Sequence, residues 1–377
     1  MIVVIADDIT GAAELAGIAL RYGLRVLLSR QVSQFAGFDV LCLYTNTRSL
    51  QKEEAVAVMK ELASKVADLS PSLIYKKTDS VLRGYVLAEM EAQMKVLNLE
   101  KALLVPANPL LGRTIKHGNY YLNDQPIHET SFSSDPEFPI RSSKIKDMLG
   151  AENIPIHVLK KNTELQAGIS VGEAVSMKDV ESWAKYDAGS VLLAGAASFF
   201  SALLKAKYPV SKKTFELKLA TPMLLVSGTT YKKNVDRRKE LQHLISYMPV
   251  KLFSKNTVDE KLLGKWADET LGILSTYGNA IVAIGDHGDE KADSKLLREK
   301  LSKVVNRILD VTEIRELLIE GGSTAFSIIH ELGLSSFVPT DEISQGVVRM
   351  KAEGNNELHL TIKPGSYDWP PQWHFNE

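Results

Sequence analysis

The sequence predicts an α/β fold of two domains, each with a largely parallel sheet flanked by helices, and an active-site cleft between them. Two observations predict this class. Short apolar runs alternate with longer segments of helical period along the chain. A length of 377 residues also suits two domains of ordinary size. A lysine-rich stretch with two prolines, residues 208–222, interrupts the alternation, so we predict domains over residues 1–215 and 216–377.

In the first domain, apolar runs of a few residues predict strands, and segments of helical period predict helices. Residues 2–6 are such a run, and residues 11–22 are rich in good helix formers. The same patterns predict strands at residues 25–28, 40–44, 73–75, 102–105, 156–159 and 191–194, and helices at residues 52–67 and from about 84 to 97. Residues 120–132 are predicted to form an extended excursion.

In the second domain the alternation restarts. It predicts strands at residues 223–226, 280–284, 317–319 and 358–362. It predicts helices at residues 232–246, 295–308 and 324–332.

The composition bounds the functions that the chain can have. Lysine plus arginine total 45 against 46 acidic residues, a net charge of −1, which argues against nucleic-acid binding through bulk positive charge. Cys42 is the single cysteine and excludes an intrachain disulfide, and we expect a buried thiol in an apolar strand. No apolar run is long enough to span a membrane, and the first residues indicate a strand, not a signal peptide. We therefore predict a cytoplasmic protein.

Polar loops follow four predicted strands of the first domain, where a parallel sheet places its ligands. They combine carboxylates, arginines and hydroxyl groups, as expected for a pocket that binds a small polar anion. The four loops are residues 7–11, 45–49, 76–84 and 106–114.

Structural roles are open for these same residues. Asp8 or Thr10 can cap the helix that follows, Arg48 can be a solvated loop residue, and Asp79 with Arg83 can form an i,i+4 ion pair. In a functional role, an arginine would grip a carboxylate through two parallel hydrogen bonds. An aspartate would accept the proton of a substrate hydroxyl during phosphoryl transfer.

Glycine-containing turns mark the second domain and indicate phosphate binding, because glycine lets the backbone approach an anion at a helix start. These turns are residues 227–230, 321–324 and 363–366. The chain has neither a P-loop nor a dinucleotide fingerprint. The acidic residues 286–290 could hold Mg²⁺, although a solvated loop is the preferred interpretation. The scattered histidines predict no transition-metal site.

Together these segments resemble the four-carbon acid sugar kinase family over essentially the whole chain. The resemblance rests on residues 6–12, 47–49, 77–84, 106–109, 112–113, 227–228, 321–324 and 363–365. It implies a two-domain α/β carbohydrate kinase that transfers phosphate from ATP, with Mg²⁺, to the terminal hydroxyl of a threonate, erythronate or 3-oxo-tetronate substrate. The first domain would bind the sugar acid and the second would bind ATP.

The resemblance also implies the site residues. Substrate contacts would come from Asp7, Asp8, Arg48, Asp79, Ser80, Val81 and Leu82. ATP contacts would come from Ser227, Gly321, Gly322, Ser323, Thr324 and Gly365. Asp8 and Asp79 are the two candidates for the catalytic base, and Arg83 would steady the substrate or the transferring phosphoryl group.

The chain departs from the family pattern at three places. Val81 replaces a threonine, Ser323 replaces an acidic residue, and residues 363–367 differ from the usual serine-glycine-asparagine form. Two alternative functions stay open: a sugar-acid sensor without catalysis, and a transferase or lyase that acts on a hydroxy acid without ATP. The aromatic tail around Trp369 either packs back on its domain or contributes to a homo-oligomer.

Overall fold

A computed structural model describes most of the chain as two compact units, Met1–Lys213 and Thr214–Glu377. Each unit is described by itself. The described residues are 1–32, 36–135, 137–150, 154–186, 188–211, 219–228, 241–253, 258–285, 293–365 and 367–370.

The first unit contains a wholly parallel sheet in the order β2-β3-β1-β4-β11-β5-β10-β9 and a small antiparallel sheet, β6-β7-β8. The strands are β1 Ile2–Ala6, β2 Val26–Ser29, β3 Val40–Tyr44, β4 Leu73–Lys77, β5 Lys101–Val105, β6 Arg113–Lys116, β7 Asn119–Leu122, β8 Gln125–Pro126, β9 Ile156–Leu159, β10 Gly168–Gly172 and β11 Leu192–Gly195. The antiparallel sheet only partly matches the predicted excursion at residues 120–132: β8 and most of β7 lie within it, whereas β6 precedes it.

Helices cover both faces of the parallel sheet. They are α1 Ile9–Arg21, α2 Lys52–Ala67, α3 Val86–Val96, α4 Ile145–Leu149, α5 Met177–Trp183 and α6 Ala197–Lys205. Lys76 pairs with Glu89 of α3 and Lys77 with Glu14 of α1. Because successive residues of a strand point to opposite faces, α1 and α3 lie on opposite sides of β4. Helix α1 is buried along most of its length.

Three neighbouring strands bring three of the predicted loops together. Ala6 of β1 is in register with Tyr44 of β3 and with Lys77 of β4. The chain therefore leaves all three strands at the same edge of the sheet, which is where parallel sheets bind ligands.

The second unit has one sheet in the order β13-β14-β12-β15-β18-β17-β16, parallel as far as β18 and antiparallel beyond it. The strands are β12 Met223–Ser227, β13 Ile245–Tyr247, β14 Asn279–Ala283, β15 Glu316–Glu320, β16 Ser336–Ser344, β17 Val347–Ala352 and β18 Asn355–Lys363. The helices are α7 Val250–Phe253, α8 Glu260–Tyr277, α9 Ser294–Val311 and α10 Gly322–Glu331.

The structure confirms the predicted α/β class and the largely parallel sheets, and it corrects two elements. The strand predicted at residues 73–75 continues to Lys77, because both of its terminal lysines find buried acidic partners. The helix predicted at residues 232–246 is wrong at its end, since residues 245–247 form β13 and pair with β14. Residues 232–240 lie outside the described part. Among the helices that are described, none is both long and apolar enough to cross a membrane.

Candidate active site

Arg48 lies among three carboxylates at the edge formed by β1, β3 and β4. Its Nε and Nη2 donate to Asp7 Oδ2 at 2.9 and 2.7 Å. Its Nη1 is 3.1 Å from Asp8 Oδ2 and 3.7 Å from Asp79 Oδ1. We call Asp7, Asp8, Arg48 and Asp79 the acid cluster. The structure thus brings four predicted site residues together, and protein carboxylates already engage Arg48 on both edges of its guanidinium group.

Asp8 has a structural role and also belongs to the acid cluster. It is the N-cap of α1, where its Oδ1 accepts from the Gly11 amide at 2.7 Å and its Oδ2 from Thr10 Oγ1 at 3.1 Å. Burial acts to raise the pKa of Asp8, but Arg48, Lys77 and the Gly11 amide outweigh it, so the pKa is lowered. Asp8 is therefore a carboxylate at neutral pH.

Asp79 is the most heavily bonded carboxylate of the acid cluster. Its Oδ2 accepts from the amides of Val81 and Arg83 and from Arg83 Nε, and its Oδ1 accepts from Arg83 Nη2 at 2.9 Å. Burial acts to raise the pKa of Asp79, but Arg83 and Arg48 lower it far below its ordinary range. The predicted ion pair with Arg83 is confirmed. Asp79 thus shapes the loop at residues 79–84, which we call the substrate loop.

The two apolar residues of the substrate loop are buried. Val81 and Leu82 are 1% and 5% exposed, so neither residue offers much surface to a ligand. Leu82 has a left-handed backbone with φ of 62°, which is uncommon for a residue other than glycine. Such conformations cluster at ligand sites, where the surrounding structure holds them in place.

Asp7 is the most deeply buried carboxylate of the acid cluster. Its side chain is 6% exposed, and its Oδ1 has no hydrogen-bond partner. Burial raises the pKa of Asp7, Arg48 acts to lower it, and Asp8 acts to raise it further, and the outcome is a raised pKa. The buried negative charge of Asp7 is therefore stabilised mainly by its ion pair with Arg48.

Two lysines next to the acid cluster were not predicted as site residues. Lys76 forms a fully buried ion pair with Glu89. Lys77 donates to the carbonyl of Thr78 at 3.0 Å, lies 3.9 Å from Glu14, and helps to lower the pKa of Asp8 and Asp79. The sequence signal for them was a pair of consecutive lysines at the end of a buried strand. Because buried charges need partners, such a pair indicates acidic residues nearby.

Residues in and near the predicted excursion contact the substrate loop. Arg113 belongs to the predicted polar loop 106–114, whereas Tyr120, Phe132 and Asp135 were not predicted as site residues. Arg83 Nη1 donates to Asp135 Oδ2 at 2.9 Å. Arg113 Nη1 donates to Ser80 Oγ, and the hydroxyl of Tyr120 donates to the carbonyl of Ser80. The guanidinium carbons of Arg83 and Arg113 lie 5.6 and 5.7 Å from the ring centroid of Phe132, a distance typical of cation–π contact.

A groove of about 440 Å³ lies beside the substrate loop, between α2 and α3. Leu82, Gly84 and Tyr85 form part of its wall, and no residue of the acid cluster does. Gly84 separates the two features, because a Cβ on it would lie 3.4 Å from Arg48 Cγ. The groove therefore borders the acid cluster without covering it.

The predicted glycine turns of the second unit also meet at one sheet edge. Ser227, Glu320 and Lys363 are in register at the ends of β12, β15 and β18. The next residues therefore leave the sheet side by side. The amide of Gly321 donates to the carbonyl of Lys363 at 2.9 Å, and a Cβ on Gly365 would lie 4.0 Å from the Gly321 Cα.

This edge fits a phosphate group. Gly321, with φ of 93°, is the N-cap of α10, so the amides of Gly322, Ser323 and Thr324 lie at a helix start, where amides have no intrahelical partner. A Cβ on Gly228 would overlap the side chain of Thr324, so the backbone at Gly228 packs directly against Thr324. Backbone donors at a helix N-terminus are suited to bind phosphate.

A buried side-chain cluster lies under the glycine turns and was not predicted. Glu320 accepts from Ser227 Oγ and from Trp369 Nε1, both at 2.6 Å, and lies 3.9 Å from Lys363 Nζ. Trp369 also packs against the apolar cluster that contains Met223. Of the two alternatives for the tail, Trp369 therefore packs back on its own unit; residues 371–377 lie outside the described part.

Within the described ranges, no group of three or more histidine, cysteine or acidic side chains is placed to hold a metal ion. The acidic residues 286–290 lie outside those ranges. Cys42 is buried in β3 as predicted, and burial raises the pKa of its thiol.

The fold and the two edges define a class of protein: a two-unit α/β protein with a charged polar site in one unit and a phosphate-type cradle in the other. Two family comparisons agree with this class. The family described as a sugar-binding N-terminal domain matches residues 2–203, and the one described as a nucleotide-binding C-terminal domain matches residues 234–367. The chain belongs to the four-carbon acid sugar kinase family.

Relatives match over nearly the whole chain. A D-threonate kinase from Bordetella bronchiseptica is 26% identical, over 95% of this chain and 92% of the relative. A D-threonate kinase from Salmonella typhimurium is 24% identical, over 91% and 89%. A D-erythronate kinase from Heliobacterium modesticaldum is 25% identical, over 91% and 88%.

Solved structures share the fold. A structure from Salmonella typhimurium LT2 has a TM-score of 0.79 at 18% identity and covers 97% of this chain and 96% of its own. A structure from Haemophilus influenzae has a TM-score of 0.71 at 16% identity and covers 97% of each chain.

Proposed function

We propose that this protein is an ATP-dependent kinase that phosphorylates the terminal hydroxyl of a four-carbon sugar acid of the threonate, erythronate or 3-oxo-tetronate type. The observation that carries the proposal is the acid cluster, which gathers Asp7, Asp8 and Asp79 around Arg48 at the ligand-binding edge of a parallel sheet. Support also comes from relatives named D-threonate kinase and D-erythronate kinase.

Asp8 is the better supported of the two candidates for the catalytic base. Asp79 accepts four hydrogen bonds and has a pKa far below its ordinary range, so it accepts a proton poorly. Asp8 is the most exposed carboxylate of the acid cluster, with 19% of its side chain exposed against 9% for Asp79. In this proposal Asp8 orients the substrate hydroxyl and receives its proton.

Arg48 and Arg83 hold the carboxylates in place. The prediction that Arg48 grips the substrate carboxylate is not favoured by its geometry, since Asp7 engages two of its nitrogens and Asp8 the third. Arg83 is fixed by Asp79 and Asp135 and is 27% exposed, so its remaining N–H groups can steady a ligand oxygen.

In this proposal the first domain, residues 1–215, binds the sugar acid, and the second, residues 216–377, binds ATP. Ser227, Gly321, Gly322, Ser323, Thr324 and Gly365 would hold the phosphates, mainly through backbone amides. When bound, ATP supplies the transferred phosphoryl group and Mg²⁺ offsets the charge that develops on its oxygens. Ser227 would be oriented by Glu320, which accepts a hydrogen bond from its hydroxyl group.

A coupled assay over a panel of tetronates, with and without ATP and Mg²⁺, tests the proposal. We expect ADP release only when a tetronate, ATP and Mg²⁺ are all present. Tetronate binding without any ADP release would indicate a sensor. Turnover that is independent of ATP would indicate a transferase or lyase, and either result would overturn the proposal.

The same panel identifies the preferred tetronate and its stereochemistry. A cytoplasmic location and self-association stay predictions from the sequence.

A further inference from the structure

Three arginines approach the substrate loop, and they differ in what neutralises them. Arg48 is engaged by three carboxylates, and Arg83 by two. Arg113 has no carboxylate partner among the described residues; its one side-chain hydrogen bond goes to the hydroxyl of Ser80. Arg113 is therefore the one arginine of this set whose charge no carboxylate of the described residues offsets.

Arg113 is also held in place before any ligand binds. It begins β6, and its backbone exchanges two hydrogen bonds with Asn108, at 2.8 and 3.1 Å. Its guanidinium group lies against the ring of Phe132 and is tied to Ser80. Because a planar guanidinium fixed in this way loses little freedom on binding, it is suited to grip a carboxylate through two parallel bonds.

Polar atoms at this position lack partners. Arg113 Nε is buried without a hydrogen-bond acceptor, and the neighbouring Asn108 has a buried Oδ1 without a donor. Buried polar groups are usually paired, so unpaired ones indicate a missing partner or a functional role. The terminal Nη2 of Arg113 has no protein acceptor either, and the residue is only half-buried.

The negative charge of the acid cluster disfavours the binding of a negatively charged ligand group next to it. The acid cluster places three carboxylates, those of Asp7, Asp8 and Asp79, around the single guanidinium group of Arg48. A sugar acid has a charged end and a neutral hydroxyl end, so electrostatics directs the hydroxyl end towards the acid cluster and the charged end away from it.

We propose that Arg113 receives the carboxylate of the sugar acid, while the terminal hydroxyl points to Asp8 across the substrate loop. This inference rests on the proposed function and adds a residue that fixes both substrate class and orientation. Arg113 selects for an acid over the corresponding neutral polyol, because only the acid offers two oxygens to the guanidinium group.

The test compares Arg113→Met and Arg113→Lys with the wild-type protein. Isothermal titration calorimetry measures the Kd of threonate and erythronate without ATP, and the coupled assay measures KM and kcat. We expect Arg113→Met to raise Kd and KM on the order of 10- to 100-fold, with kcat changed much less. Arg113→Lys, which keeps the charge but loses the fork, should give an intermediate Kd. Arg141→Met, at an exposed position of the same unit, is the matched control and should match the wild type.

Hydrogen exchange of the amides in β5 and β6 reports whether each variant keeps the wild-type fold. A Kd within twofold of wild type for both Arg113→Lys and Arg113→Met would overturn the inference. It would also be overturned if Arg113→Met weakened the binding of a neutral tetritol by the same factor as the binding of the acid. If the wild type binds a tetronate but never phosphorylates it, the proposed function fails, and the Kd series alone decides the role of Arg113. If the wild type binds no tetronate, both are overturned.

Discussion

Replacing Arg48 by methionine removes the shared partner of three carboxylates, and the cost falls mainly on Asp7. Asp79 keeps its bonds to Arg83, and Asp8 keeps the amide of Gly11. Asp7 loses both of its side-chain hydrogen bonds and stays buried. Leaving one buried charge without its partner costs about 3 to 5 kcal/mol, so we expect the first unit to lose stability of this size near neutral pH.

The loss depends on pH with a definite sign. In the wild type, Asp8 and Asp79 have lowered pKa values, so their contribution to stability is present at neutral pH and is lost as the pH falls through their folded pKa values. In the variant, the pKa of Asp7 rises further, and a carboxyl whose folded pKa is raised loses stability as the pH rises above its unfolded value, about 3.9. The difference between the two proteins should therefore widen from pH 4 to pH 8.

Hydrogen exchange of the β1 and β4 amides, followed by mass spectrometry in a urea series, measures the free energy of unfolding of the first unit. Arg25→Met is the matched control, because Arg25 pairs with Asp39 at the surface and is 65% exposed. It should change stability little, since exposed ion pairs contribute little. A loss below about 1 kcal/mol for Arg48→Met, or one that is the same at pH 4 and pH 8, would refute the reasoning.

Two further pairs of substitutions test the two sites. Asp8→Asn should lower kcat by about 100-fold or more, with a small change in the KM of the sugar acid. Asp79→Asn should mainly destabilise the substrate loop. Equal losses of kcat in the two folded variants would contradict the choice of Asp8 as the base. Gly228→Ala should raise the Kd of ATP on the order of 10-fold by calorimetry, because the added Cβ would overlap Thr324. Gly272→Ala, in a helix with open space around it, should leave this Kd unchanged. An unchanged Kd for ATP in Gly228→Ala would show that the glycine turns do not bind ATP.

Most of the parallel sheet could be predicted because buried parallel strands are continuous apolar runs. The strands at residues 2–6, 40–44 and 156–159 and the helix at 52–67 have the predicted bounds. Strand β10, Gly168–Gly172, escaped detection because glycine ends it on both sides and a serine interrupts it. The hairpin of β16 and β17 escaped because β16 has no continuous apolar run and includes Pro339, a residue that is uncommon inside sheets.

The acid cluster could be predicted as a set because each member follows a predicted strand, and adjacent parallel strands end at one edge. The side-chain partners of Arg83 and Ser80 could not, although Arg113 belongs to the predicted polar loop 106–114. Asp135 meets Arg83 across 52 positions of sequence, and Arg113 meets Ser80 across 33. These contacts depend on the path of a small antiparallel sheet with irregular turns, which no periodicity of the sequence specifies.

The two sites handle negative charge in opposite ways, and this explains a feature of the sequence. In the first unit, Arg48 and Arg83 are paired with fixed carboxylates, and the proposed partner of an external anion is Arg113, which has no carboxylate partner among the described residues. In the second unit, Lys363 donates to the carbonyls of Pro364 and Tyr367 and faces Glu320, so it is directed into the protein. In the proposed function, phosphate binding there depends on backbone amides at the start of α10. A cradle built from amides needs small residues that allow close approach, not a lysine at a fixed spacing. The chain accordingly has paired glycines at residues 321 and 322 and no P-loop signature.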